Sequence, residues 1–169
     1  MGWLMIFWKY YDKIELILGL TALTATVLAV LIAAIGRSLG MPVTSAPQFA
    51  QLFLIWTVMF GADLTMKLGM HIRVSALTDL APVRVQKALA VVHSGLILVF
   101  LGFVAIVGWD LSMGNWQREL GASGLSYGLV TLALSVGAGL LIISFLRRLV
   151  SKGFVGAFQP ADDAVETLI

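Results

Sequence analysis

Four runs of apolar residues, each near the length a helix needs to cross a bilayer, divide this chain and decide most of what it can become. They cover about 14–35, 49–68, 85–109 and 127–149. A helix crosses the hydrocarbon core with about 20 mainly apolar residues. The connections at 36–48, 69–84 and 110–126 are each too short for a folded domain. The 169-residue chain is 60% hydrophobic and only 12% charged, too little polar matter to coat a water-soluble fold of this size. Its mean hydropathy is +0.99. The expected fold class is all-α integral membrane, with four transmembrane helices and short interfacial amphipathic helices. Residues 1–150 are expected to form a single four-helix membrane domain. Residues 151–169 are expected to be a polar tail, with Asp162, Asp163 and Glu166 and no apolar period.

Lys and Arg set the orientation. Four spans place the N-terminus, the 69–84 connection and the C-terminus on one side. That side holds Lys9, Lys13, Lys67, Arg73, Arg84, Lys87, Arg147, Arg148 and Lys152, and the other holds only Arg37 and Arg118. Both termini are therefore expected to be cytoplasmic. The first span is too long for a cleaved signal peptide, and no A-x-A site follows it. Trp3, Phe7, Trp8, Tyr10 and Tyr11 stand beside Lys9 and Lys13, the composition of a headgroup-level anchor. Leu68, Ile72, Ala76 and Leu80 recur every four residues, which predicts a short helix along the cytoplasmic surface. Pro82 suits the first turn of the third span. Trp109 and Trp116 are placed for the aromatic belt on the opposite side.

The absence of Cys excludes disulfides, thiolate metal sites and thiol nucleophiles. Two His residues are too few for a metal centre without carboxylate help. No glycine pattern matches a phosphate-binding loop, and a net charge of +2 is no nucleic-acid footprint. No base–nucleophile constellation is present. The sequence calls for no enzyme activity, cofactor, metal or nucleic-acid partner.

Ionisable residues gather in the stretch FGADLTMKLGMHIRV, residues 60–74. Asp63 and Lys67 lie four apart, acid first, on one helix face. They read as an ion or proton site, or as a neutralised pair facing another helix or a partner subunit. The second reading is favoured, because coupling-ion sites use broken helices and several converging oxygens. Lys67 lies near enough to the helix end to snorkel. His71 and Arg73 read as a proton relay or phosphate-binding pair, or as interfacial anchors. His93, inside the third span, reads as a hydrogen-bonded packing residue or a relay. Trp56 sits mid-span, where its indole N–H calls for a protein partner. Small residues recur at Ala22, Thr26, Ala29 and Ala33, and at Gly124, Gly128, Ser135 and Gly139, spacing that lets helices approach closely. Arg118 and Glu119 in the outer loop are either solvated surface or a docking patch.

The pattern IWTVMFGADLTMKLGMHIRVSAL, followed by Pro82, resembles the small membrane subunit of TRAP (tripartite ATP-independent periplasmic) transporters, the DctQ-like family. The resemblance rests on Trp56, Gly61-Ala62, His71-Ile72-Arg73-Val74 and Pro82, with Arg37 after the first span. Length, four spans and cytoplasmic termini extend it over nearly the whole chain. Two positions depart from the family, Gln48 and Ser75, where an acid often stands. The resemblance implies an accessory scaffold subunit in the bacterial inner membrane. Its partners would be a large TRAP membrane subunit, a periplasmic substrate-binding protein and membrane lipids. It implies sodium-driven import of an organic acid anion, such as a sialic acid or a dicarboxylate, with substrate held by the other two subunits. The alternative is a self-sufficient small four-helix carrier of the multidrug-exporter type. That reading needs an embedded carboxylate: Glu15 lies too near the interface, which leaves Asp63.

Overall fold

A computed structural model describes residues 2–68 and 82–158. It contains four helices: α1 (Gly2–Ser38), α2 (Ala46–Leu68), α3 (Val83–Gly114) and α4 (Gly128–Gly156). Each is long and apolar enough to cross a membrane. The shortest, α2, has 23 residues; at 1.5 Å per residue it reaches about 35 Å, more than a hydrocarbon core of about 30 Å. The chain is thus an all-α membrane protein with four spans.

The helices outrun the apolar segments. No Gly or Pro interrupts residues 3–18, so nothing stops helix propagating through the aromatic and basic N-terminal stretch. That stretch is the first part of α1 rather than a separate anchor. Pro82 stands at the N-cap of α3, one position before the first turn, with φ of −56°. Its carbonyl accepts from the N–H groups of Val85 (2.8 Å) and Gln86 (3.1 Å). The surface helix expected over 69–84 falls almost wholly outside the described residues. At the other end of the chain, α4 is bent at Gly153, whose φ of 72° is left-handed.

Among the described residues, α1 packs on α2, α2 on α4, and α4 on α3. The four helices form a row with α1 and α3 at its edges, not a closed square. Small residues make the row close. Eight of the 13 buried hydrophobic residues are Ala, so contact comes from near approach of backbones, as expected where lipid already satisfies large apolar side chains. Ala22, Thr26 and Ala29 are buried on α1, and Ala33 is half-buried. The expected stripe divides: Ser135 of α4 meets α3, but Gly124 falls in the loop before α4, and a side chain at Gly124 or Gly139 would meet nothing within 4 Å. The tightest approach is at Gly137, which the spacing argument did not single out. A Cβ there would lie 2.5–2.8 Å from Met59 of α2. At Gly108 of α3, a Cβ would lie 3.2 Å from the Ser135 nitrogen, and Ser135 Oγ donates to the Ala105 carbonyl at 2.6 Å. Large residues point away from the row, among them Leu23, Val27 and Leu31 on α1 and Val99, Phe103 and Ile106 on α3. Such exposed apolar faces suit hydrocarbon or another protein, not water.

Candidate functional site

Antiparallel threading brings the start of α1 beside the ends of α2 and α4. Asp12 and Glu15, three apart, share one face of α1; Asp63 and Lys67, four apart, share one face of α2. Ser144, Arg147 and Arg148 follow the same spacing on α4. These residues converge. Lys67 Nζ pairs with Asp12 Oδ1 at 3.0 Å, with Asp63 Oδ2 at 3.1 Å and with Glu15 Oε2. Ser144 Oγ donates to Asp63 Oδ2 at 2.8 Å. Arg147 Nη1 donates to both Asp12 oxygens, at 3.1 and 3.0 Å. Tyr11 and Trp8 cover the cations: Lys67 Nζ lies 4.5 Å from the Tyr11 ring centroid, and the Arg147 guanidinium 4.4 Å from that of Trp8. Arg148 donates to the Lys67 carbonyl (2.8 Å) and the Ala157 carbonyl (2.6 Å), neutralising the carbonyl end of α2 and the turn after Gly153.

This site corrects three expectations. Lys67 does not snorkel outward; its ammonium turns inward to three carboxylates, and its side chain is only 14% exposed. Asp63 pairs with Lys67 as expected but not with Lys67 alone, and it is wholly buried. Glu15, expected near the interface, is enclosed by protein: it is 3% exposed, because α1 continues past it toward Gly2 and turns that face onto α2. Sequence reasoning missed Asp12, Ser144 and Arg147 altogether. The available signal was the i, i+3 pair Asp12–Glu15, on the same side of the membrane as Lys67 and Arg147.

The opposite end is built differently. Between α3 and α4 the chain turns through a small hairpin. Leu120 N–H donates to the Leu125 carbonyl and Tyr127 N–H to the Arg118 carbonyl, both at 2.7 Å, around an antiparallel bridge between Glu119 and Ser126. Leu120 is driven into an apolar cluster with Leu52 and Val130. Trp56 packs there, and its Nε1–H donates to the Leu129 carbonyl at 3.2 Å, so the indole faces protein as its mid-span position required. Ser126 Oγ donates to the Trp116 carbonyl at 2.6 Å. The Arg118 guanidinium rests 4.9 Å from the Tyr127 ring centroid. Arg118 and Glu119 are thus exposed charges on an ordered loop.

The remaining candidates do not converge on either site. Arg37 is exposed near the end of α1, and Gly61 is exposed with open space around it. Trp116 is 48% exposed. His93 is exposed on α3, but its Nδ1 lies 3.2 Å from the Leu89 carbonyl of its own helix and its ring meets that of Phe158 edge-on, with centroids 6.4 Å apart. His71 and Arg73 lie outside the described residues. Among the described residues no group of three His, Cys, Asp or Glu side chains is arranged to hold a metal ion.

Comparison with protein families places this geometry in context. The model of the family described as tripartite ATP-independent periplasmic transporters, DctQ component, matches residues 26–153. The match spans α2, α3, the hairpin, most of α4 and the last third of α1, and it includes Asp63, Lys67, Ser144 and Arg147. Asp12 and Glu15 precede it. No curated protein matches the chain.

Proposed function

The chain belongs to the DctQ component family of tripartite ATP-independent periplasmic transporters, and from that membership we propose that it is the accessory scaffold subunit of a sodium-driven importer of an organic acid anion. Residues 1–150 act as one membrane domain, with both termini cytoplasmic in a bacterial inner membrane. The anion, for example a sialic acid or a dicarboxylate, is captured by a periplasmic binding protein and carried by the large membrane subunit. This chain widens the static frame against which that subunit moves. The observation that carries the reading is the family match, which runs from within the first span to near the end of the fourth. The packing supports it. The helices are unbroken through their spans, the polar groups at the N-terminal end are bound to one another, and the row leaves apolar faces for lipid and for a larger membrane partner. Asp63, on which the small-carrier reading turned, is enclosed and bound by Lys67 and Ser144, as befits a structural residue.

Arg118 and Glu119 are the groups proposed to meet the binding protein, since the hairpin holds them outward on the periplasmic side. The test is purification from native membranes with a tag on this chain. A larger hydrophobic subunit is expected to co-purify, and R118E or E119K in that complex is expected to weaken binding-protein docking about 10-fold, roughly 1.4 kcal/mol. H71A, assigned to the other side, is expected to leave docking intact. Recovery of a homo-oligomer alone, or equal loss of docking in all three variants, contradicts the reading.

A further inference from the structure

Among the described residues, the cluster at the N-terminal end leaves two buried carboxylate oxygens unsatisfied. Three carboxylates (Asp12 and Glu15 of α1, Asp63 of α2) contact two cations, Lys67 of α2 and Arg147 of α4. The other polar groups there are the Tyr11 hydroxyl of α1, the Ser144 hydroxyl of α4, and Arg148 of α4, which donates to backbone carbonyls. Asp12 and Arg147 stay partly open to solvent, whereas Glu15 and Asp63 are enclosed. Glu15 Oε1 and Asp63 Oδ1 are both buried without a hydrogen-bond partner. They belong to residues 3% and 0% exposed. Each already gives its second oxygen to Lys67, so the one ammonium holds the two carboxyls side by side. Two carboxylates so placed repel unless a proton lies between them.

We propose that Glu15 and Asp63 form a proton-binding site, holding one proton between them at neutral pH. The ligand is a proton rather than a metal cation, because the Lys67 ammonium already occupies the point where the three carboxylates converge. One proton converts one acceptor into a donor, which satisfies an orphaned oxygen and removes the repulsion between two like charges. Removing the proton leaves two adjacent carboxylates. The α1–α2 contact therefore weakens as pH rises. This site is independent of the transporter assignment: it is set by five side chains of this chain and requires no partner.

The test is infrared spectroscopy of the full chain in bilayers across a pH titration, following the carbonyl stretch of a protonated carboxylic acid. The wild-type protein is expected to show a buried carboxylic acid band at neutral pH that disappears on alkaline titration. The band is expected to shift with isotopically labelled glutamate or aspartate, an assignment that needs no variant. E15Q and D63N each remove one carboxylate and are expected to lose the band. The melting temperature of wild type is expected to fall as pH rises, while that of E15Q stays level over the same range. A wild-type spectrum with no such band at neutral pH overturns the proposal. So does a band that survives in both variants. So does a saturable rise in melting temperature when sodium replaces choline at constant pH without the band, which would assign the site to a metal cation.

Discussion

At the end of the helix row that carries the N-terminus, α1, α2 and α4 meet through ionised side chains: Lys67 among three carboxylates, Arg147 on Asp12, Arg148 on two carbonyls. At the far end, α2 and α4 and the hairpin meet through Leu52, Leu120 and Val130, with hydrogen bonds from the hairpin backbone and from neutral side chains such as Trp56, Ser112 and Ser126. The contrast bears on specificity. Apolar contacts tolerate sliding, since one methyl group replaces another at little cost. A buried ion pair does not, because a helix shifted by one residue leaves a charge without its partner. We read the ionic end as the element that sets the register of α1 against α2 and α4, and the apolar end as the element that holds the outer loop in shape.

Three substitutions test that contrast, beginning with the largest effect. Lys67→Met removes the cation shared by Asp12, Glu15 and Asp63, leaving buried carboxylates with Arg147 alone. The expected loss is about 3–5 kcal/mol, the range for breaking a buried pair from one side. Denaturant unfolding of the full chain in mixed micelles measures it. Part of the loss should return as pH is lowered and the carboxylates protonate; a loss under about 1 kcal/mol would remove the distinction between the ends. Next comes Gly137→Leu, between the two ends, which forces α2 and α4 apart at Met59. Overpacking of this kind costs about 1–3 kcal/mol, read as a lower unfolding midpoint without change in pH dependence. The smallest effect belongs to the apolar end. Trp56→Phe keeps the ring contact but deletes the N–H donated to the Leu129 carbonyl, at about 1 kcal/mol. Were Trp56→Phe to cost more than Lys67→Met, the roles of the two ends would be reversed.

Much of this was legible from the chain alone, and the reasons differ from residue to residue. Trp56 was expected to face protein, because an indole N–H in mid-membrane has few other options, and it does. The pair Asp63–Lys67 was legible because it lies within one helix, where spacing dictates proximity. Asp12, Glu15, Ser144 and Arg147 were not assigned to it. Their meeting depends on how far α1 extends beyond its apolar segment and on how it is rotated against α2. Neither is encoded by a hydropathy window. Gly137 was missed for a related reason: many glycines are compatible with close packing, and only the position of Met59 on another helix singles one out. Lys67 was misjudged because snorkelling is the default for a lysine near a membrane interface, and three acids from two helices supply a nearer destination than water.

The sequence by itself determined that this is a four-span α-helical membrane protein of the DctQ kind. Burying apolar side chains in hydrocarbon is nearly additive along a chain, so each span can be read from its own residues. Tertiary structure alone decided that the helices stand in a row ordered α1, α2, α4, α3, and that one lysine serves three carboxylates. Those outcomes turn on distances of a few ångströms between segments far apart in sequence. Electrostatic energy and close packing change steeply over such distances, whereas hydropathy does not.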